Sequence, residues 1–314
     1  MSRVALIRTL TVSAFALCFL VVVLGAYVRL SAAGLGCPDW PGCYGHLTPS
    51  AAISAGDVIV DGPKAWKEMI HRYAAATLGV LIIVIAALAI QNRSARILPL
   101  PFAIGLVALV VTQGIFGMLT VTMQLAPAVV TTHLLLGLAT LSMLWWLVLS
   151  QSWRQRGAWR ESTSFLGSSL PRTRAYALAG LAALVVQVVL GGWTSSHYAA
   201  TGCPDFPKCQ GQWWPVMSTH TVAIHFMHRL GAVFATLLLG AAAVRVLRSR
   251  SDNFARMAAL AVMLALALQL LIGIAMVLSG FPLWIATAHN AGAALLVLAV
   301  VAMNRSLRPT WTVA

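Results

Sequence analysis

The sequence has 314 residues, of which 60% are hydrophobic and only 9% are charged, whereas soluble domains carry about 25% charged residues. This much apolar surface excludes a soluble globular fold, so we expect the lipid bilayer as the solvent. The formal net charge of +14 could indicate nucleic-acid binding. However, the basic residues lie in short clusters between apolar runs, which is typical of membrane proteins. We therefore expect no nucleic acid among the partners.

Eight apolar runs are long enough to cross a bilayer, which takes about 20 residues per helix. In chain order they cover approximately residues 9–29, 69–90, 98–122, 128–149, 175–195, 222–243, 257–279 and 284–303. The sequence therefore predicts an all-α integral membrane protein with eight transmembrane helices. Most of the 21 Lys and Arg residues fall in segments on the same side as the N-terminus. By the positive-inside rule, both termini are predicted to be cytoplasmic.

Two outer segments contain nearly the same cysteine loop, GCPDWPGC at 36–43 and GCPDFPKC at 202–209, with six of eight positions identical. Both loops would face an oxidising compartment, where disulfides persist. Such short loops can close if the Cα atoms come within about 7 Å of each other. The predicted disulfides are Cys37–Cys43 and Cys203–Cys209. Each is either a structural staple or a redox-active pair, and we favour redox activity for the first and a staple for the second.

The chain is an internal duplication. The cysteine loops are 166 residues apart, IHR at 70–72 and MHR at 227–229 are 157 apart, and Gln113 and Gln269 are 156 apart. Each half holds four predicted helices, so both halves run in the same direction, related by a twofold axis along the membrane normal. The prediction is two pseudo-twofold-related four-helix bundles, joined by an Arg- and Ser-rich linker at 151–174.

Four histidines recur at matching positions of the repeats, each near the outer end of a predicted helix. They are His71, His133, His228 and His289. Ionisable residues at this depth are rare and usually functional, although hydrogen bonding between helices is an alternative. Two imidazoles that face each other across a four-helix core suit axial ligation of haem iron, whereas zinc would need four ligands. The sequence predicts one bis-histidine haem in each half.

Glu68 lies three residues before His71, on the same helical face, and the second half has His225 in its place. Glu68 either begins or caps the helix, because acids favour first turns, or it lets the first half do chemistry while the second only carries electrons. His225 would bond a haem propionate or, as we favour, be solvated at the interface. Arg72 and Arg229 either snorkel to the surface or reach propionates.

The two outer cysteine pairs, the Glu68-x-x-His71 motif and the four histidines together resemble the haem A synthase family of the bacterial eight-helix type. The resemblance covers essentially the whole chain. It implies oxidation of the C8 methyl of haem O to a formyl group, which gives haem A for cytochrome oxidase in the cell membrane. It further implies catalytic roles for Glu68, Cys37 and Cys43.

The resemblance also implies how the halves divide the work. Residues 1–150 would form the bundle that binds haem O as substrate, through His71 and His133. Residues 151–174 would be a cytoplasmic linker, and residues 175–314 would hold haem b through His228 and His289. The implied partners are haem O synthase and an electron acceptor, either a quinone or a thiol–disulfide protein.

Three other functions fit part of the sequence. A di-haem b-type electron-transfer cytochrome would explain the histidines but leave the cysteines and Glu68 without a role. A membrane thiol–disulfide oxidoreductase would explain the cysteines and leave the histidines unused. A haem exporter would need no acid.

Overall fold

The computed structural model describes residues 3–56, 59–91, 98–155, 170–249 and 251–308. Its helices are α1 (Arg3–Leu30), α2 (Pro49–Ala55), α3 (Gly62–Gln91), α4 (Leu100–Thr122), α5 (Pro127–Gln155), α6 (Leu170–Ser196), α7 (His220–Arg248), α8 (Asn253–Leu278) and α9 (Leu283–Ser306), with a 3₁₀ turn at Ala199–Gly202. Within these ranges there is no strand, only one isolated bridging pair in each cysteine loop. The all-α prediction is confirmed.

Eight of these helices, all except the short α2, are long and apolar enough to cross a membrane. They follow the eight predicted runs in order, so the protein is a multi-pass membrane protein. Side chains such as Ile104 and Val111 on α4 and Leu264 and Leu271 on α8 are exposed. A soluble fold would bury side chains of this kind, and here the lipid covers them.

Helices α1, α3, α6 and α8 begin four to seven residues before the apolar runs that predicted them. At α3 and α8 a polar capping turn precedes the apolar stretch. Helix α3 begins at Gly62, where Asp61 accepts the backbone N–H of Lys64 at 3.2 Å. Helix α8 begins after Asp252, whose side chain accepts the N–H of Ala255 at 2.7 Å. These turns carry little hydropathy, so a count of apolar residues misses them.

Parts of the predicted cytoplasmic side lie outside the described residues. They include residues 156–169 of the predicted linker, with Arg156 and Arg160, and the segment with Arg93 and Arg96. The linker and the orientation in the membrane therefore stay predictions.

The chain divides between Leu147 and Val148 into two compact units. In the first unit α3 packs against α1 and α4, and Phe15 of α1 stacks on Trp145 of α5 with ring centroids 5.0 Å apart. In the second unit α6, α7, α8 and α9 form a closed ring, in which each helix packs against two others. Each unit is consistent with a four-helix bundle, and the pseudo-twofold relation between the units stays a prediction.

The outer turns have the same backbone conformation in both units. Non-glycine residues with positive φ recur at the repeat offsets: Ala32 and Tyr198 (both 53°), Tyr44 and Gln210 (53° and 54°), and Leu125 and Phe281 (59° and 60°). Few non-glycine residues adopt this conformation, so the match indicates loops inherited from one duplicated ancestor. The duplication read from the residues thus extends to the backbone.

The units differ most between the cysteine loop and the next long helix. The first unit has α2 here, where the Thr48 side chain accepts the N–H of Ala51 and Gly56 ends the helix at φ 74°. The second unit has an irregular segment with exposed Trp213 and Trp214. This difference lies where the repeat offset falls from 166 to 157 residues, as an insertion in that loop predicts.

Candidate functional site

The four repeat-matched histidines lie in four different helices: His71 in α3, His133 in α5, His228 in α7 and His289 in α9. Each is six to nine residues from the first residue of its helix, which is about 9–14 Å along the helix axis. For His71 this distance from the helix start is greater than the apolar run suggested, because α3 begins seven residues earlier than predicted.

Each imidazole packs against a glycine of a neighbouring helix. An ideal Cβ on the glycine would approach the ring Cε1 in four pairs: Gly25–His71 (2.8 Å), Gly117–His133 (3.3 Å), Gly191–His228 (3.1 Å) and Gly273–His289 (3.0 Å). Any side chain at these glycines would push the ring aside, so the glycines set the orientation of all four rings. The sequence matched Gly117 with Gly273 but indicated no role for either.

The two histidines of each unit lie in different long helices of that unit. All four side chains are partly accessible although helices surround them, so protein does not fill the space beside the rings. Two imidazoles from different helices of one bundle are a donor set that a haem iron takes in a four-helix core, with one axial ligand from each helix. The residues present therefore fit a haem in either unit.

Both predicted disulfides are present, with sulfur–sulfur distances of 2.03 Å for Cys37–Cys43 and 1.98 Å for Cys203–Cys209. An aspartate two residues after the first cysteine folds each loop. Asp39 accepts the N–H groups of Tyr44 at 2.6 Å and Gly45 at 2.8 Å. Asp205 accepts the two matching N–H groups at the same distances.

The loop aspartates are stabilised in their ionised form. For Asp39, partial burial favours the neutral acid, but the N–H bonds from Gly45 and Tyr44 outweigh it and hold the pKa below its usual value of 3.8. The pKa of Asp205 is lowered chiefly by the N–H of Gly211. Both loops therefore carry a fixed negative charge at neutral pH.

Glu68 neither begins nor caps its helix, because α3 starts six residues earlier at Gly62. The side chain is buried, with 4% exposure. Oε2 accepts the backbone N–H of Cys37 at 2.9 Å, and Oε1 pairs with Arg72 at 2.5 Å. The capping interpretation is wrong, and Glu68 instead ties α3 to the first cysteine loop.

His225 has the corresponding place in the second unit. It is only 4% exposed, so the prediction that it is solvated is wrong. Its Nδ1 accepts the backbone N–H of Cys203 at 3.2 Å, so Nε2 carries the ring proton. Nε2 lies 3.3 Å from Nε of Arg229. Both units hold the first cysteine of the loop by the same backbone contact, one with a carboxylate and the other with an imidazole.

The arginines that follow the histidines bind the cysteine loops. Arg72 donates to backbone carbonyls of the first loop, including those of Cys37 at 3.3 Å and Gly42 at 2.7 Å. Arg229 donates to the two corresponding carbonyls of the second loop, both at 2.8 Å. Neither predicted role included these contacts with the loop backbone, and contact with a haem propionate stays a prediction.

Sequence reasoning missed a set of glutamine contacts. Nε2 of Gln187 lies 3.1 Å from Nδ1 of His228, and Nε2 of Gln269 lies 3.3 Å from Nδ1 of His289. Gln187 is not shared by the repeats, because the corresponding residue of the first half is Val21. A comparison that looks only for shared residues therefore does not find Gln187. A search for differences between the repeats would find it.

Fold and site together define the class: an all-α, multi-pass membrane protein with a histidine pair and a disulfide-closed loop in each unit. The family model described as cytochrome oxidase assembly protein matches residues 8–301, and the chain belongs to that family.

Similar proteins include three that are named heme A synthase. The protein from Shewanella oneidensis is 39% identical over 91% of this chain and 92% of its own length. The one from Halalkalibacterium halodurans is 29% identical over 86% of each chain. The one from Caulobacter vibrioides is 26% identical over 93% of each chain.

Proposed function

We propose that this protein acts as a haem A synthase, which oxidises the C8 methyl of haem O to a formyl group and so makes haem A for cytochrome oxidase. The observation that carries the proposal is the similarity to the heme A synthase of Shewanella oneidensis over 91% of the chain. The family match over residues 8–301 supports it.

The two units divide the work. The first binds haem O as substrate through His71 and His133, and the second holds haem b through His228 and His289. A haem b supplies an iron that carries one electron at a time. The unequal contacts at matching positions support this division, because only the first unit has a buried carboxylate beside its histidine.

Glu68 is the residue best placed to assist the oxidation. It lies one turn before His71, and the methyl group passes through an alcohol and a hydrated aldehyde, which then loses water. Each oxidation removes electrons and protons from the methyl carbon. A carboxylate in a site of low dielectric can accept a proton there or stabilise developing positive charge. Arg72 and the Cys37 N–H hold its two oxygens, which fixes its orientation.

The first cysteine pair carries electrons from this site to an external acceptor. The Cys37 N–H bonds directly to Glu68, so the disulfide loop and the catalytic carboxylate form one unit. Cys37 and Cys43 pass electrons onward to a quinone or a thiol–disulfide protein, and haem O synthase delivers the substrate. The protein lies in the cell membrane, with both termini in the cytoplasm and the cysteine loops outside.

Replacing the carboxylate by its amide tests the proposal. Glu68→Gln keeps an oxygen that can accept the Cys37 N–H but removes the charge. We expect both haems to stay bound while haem A output falls about 100-fold or more, the range lost with an acid–base group. Haem O or its hydroxylated form should accumulate in membrane extracts separated by chromatography.

The matched control is His225→Gln, which changes the corresponding contact in the second unit. It should leave haem A output near that of the unaltered protein. Normal haem A output from Glu68→Gln would exclude the catalytic role of this residue.

A di-haem electron-transfer cytochrome is the second candidate, because all four imidazoles have the same glycine contact. Pigments extracted from the purified protein separate the possibilities. Haem O or haem A beside haem b supports the synthase, and haem b alone supports the cytochrome. A protein without haem supports a thiol–disulfide oxidoreductase.

A further inference from the structure

In the second unit, each ligand histidine is held by a glutamine from the neighbouring helix. Nε2 of Gln187 reaches both Nδ1 and the backbone oxygen of His228, each at 3.1 Å. Nε2 of Gln269 lies 3.3 Å from both ring nitrogens of His289, Nδ1 and Nε2, and 3.1 Å from its backbone oxygen. Each glutamine lies four residues before the glycine that packs on the same imidazole.

A glycine three residues after each of these histidines makes room for the amide. An ideal Cβ at Gly231 would collide with the carbonyl oxygen of Gln187, and one at Gly292 would collide with that of Gln269. The second unit therefore contains the same two-residue arrangement twice, a glutamine on one helix and a glycine on the next.

The first unit lacks this arrangement at His71. Val21 has the place of Gln187 at the repeat offset of 166, and Ala74 has the place of Gly231 at the offset of 157. A valine carries no amide, and the Cβ of alanine would occupy the space that the amide needs.

At the other histidine of the first unit the arrangement is incomplete. Gln113 corresponds to Gln269, but Leu136 replaces Gly292. The Gln113 amide packs over Gly137, one residue further along α5. Within the described residues, the buried Nδ1 atoms of His71 and His133 have no hydrogen-bond partner.

These contacts matter because an imidazole that binds iron through Nε2 carries its proton on Nδ1. In the described residues the Oε1 atoms of Gln187 and Gln269 are buried without a partner. The oxygen and nitrogen of a glutamine amide exchange places by a half-turn. With haem bound, that half-turn lets Oε1 accept a hydrogen bond from the Nδ1–H, at the expense of the contact between Nε2 and the backbone oxygen of the same histidine. Such a bond fixes the ring and raises its basicity as a ligand.

We propose that Gln187 and Gln269 are positioning residues that keep the haem of the second unit bound. In the first unit the corresponding glutamine is absent at His71 and displaced at His133, which lets that unit exchange its haem. A substrate must leave after oxidation, while an electron carrier must stay. This inference rests on the haem assignments of the proposed function.

The test compares Gln187→Val, which installs the residue of the first unit, with Gly231→Ala, which displaces the amide without removing it. Both should release haem b to apomyoglobin about 10- to 100-fold faster, the usual loss when the partner of a metal-bound histidine is removed. Both should raise the midpoint potential, because a less basic ligand stabilises ferric iron less. The double variant, Gln187→Val with Gly231→Ala, should release haem b no faster than either single variant, because the two substitutions remove the same contact.

Gly240→Ala is the matched control, since a Cβ there meets nothing within 4 Å on the same helix. It should keep the haem release rate, the potential and the low-spin electron paramagnetic resonance signal of the unaltered protein. Unchanged release and potential in both Gln187→Val and Gly231→Ala, in protein that retains haem b, would overturn the inference.

The converse variant, Val21→Gln with Ala74→Gly, installs the arrangement in the first unit. It should slow the release of haem O from purified protein, and an unaltered release rate would overturn the exchange half of the inference. A failure of the proposed function looks different: the unaltered protein would carry no haem, or His228→Ala with His289→Ala would leave its haem b content unchanged.

Discussion

The ion pair between Glu68 and Arg72 joins the candidate catalytic residue to the outer surface. The two side chains are 5% and 13% exposed, so water screens their charges little. Arg72 also donates to carbonyls of the first cysteine loop, among them that of Gly42. One guanidinium group therefore holds both the carboxylate and the loop, so the geometry of the Cys37–Cys43 disulfide depends on Glu68.

Removing Arg72 should destabilise the protein more than removing Arg229. Arg72→Ala leaves Glu68 as a buried charge without its partner, which typically costs about 3–5 kcal/mol. Arg229→Ala leaves loop carbonyls without a donor, and such losses cost about 1–3 kcal/mol. The free energy of unfolding in detergent, measured by titration with sodium dodecyl sulfate, checks this order.

The double variant Arg72→Ala with Glu68→Ala serves as the control for that comparison, because it removes both charges and should recover part of the loss. Equal destabilisation by the two single arginine variants would contradict the ion-pair argument.

At the scale of elements, the cysteine loops are small folded units built around an ionised aspartate. Asp39 accepts two backbone N–H groups of the first loop, and Arg72 of α3 donates to the backbone oxygen of Gly42 in the same loop. The disulfide itself is fully buried, since Cys37 and Cys43 have no exposed surface. A reductant reaches these sulfur atoms only when the loop opens.

The loops should open in acid. Because the pKa of Asp39 is lowered on folding, its contribution to stability is complete above its usual value of 3.8 and is lost as the pH falls through the lower folded value. The rate at which a phosphine reduces the disulfide should therefore rise below that usual value, beyond the intrinsic pH dependence of a model disulfide. Asp39→Asn should reduce this dependence, and an unchanged pH profile in that variant would count against the aspartate.

The eight long helices could be predicted from the sequence because each needs only a run of apolar residues of bilayer length. The duplicated cysteine loops could be predicted because identity at a fixed offset is visible in the residues. The contact of Glu68 with Cys37 spans 31 residues, and it depends on how the loop folds back over α3. Hydropathy and helical spacing contain no information about how the loop folds back over α3. From the sequence, a helix cap was therefore one of the two roles open for Glu68.

For the whole molecule, duplication explains both what the units share and where they differ. The histidines, their glycines and the loop aspartates are the same in both units. The differences gather around the histidine of the third helix and its counterpart: Glu68 against His225, and Val21 against Gln187. Under the proposed function, a haem-binding bundle was copied, and the copies diverged at residues beside one histidine of each pair.

The predicted orientation places the loop before α3 outside the cell and the turn before α8 in the cytoplasm. Ile59 is fully exposed, and Asn253 begins α8 at an exposed position. Ile59→Cys should react with a membrane-impermeant maleimide on intact cells, because its loop faces outward.

Asn253→Cys should react only after the membrane is permeabilised, since the positive-inside rule puts the arginine-rich turn before α8 in the cytoplasm. The native free thiol, Cys18, is buried, so the unaltered protein gives the background. If Asn253→Cys were labelled on intact cells and Ile59→Cys were not, the orientation would be the opposite of the predicted one. It would also put both disulfides in the reducing cytoplasm, where cysteine pairs of this kind rarely stay oxidised.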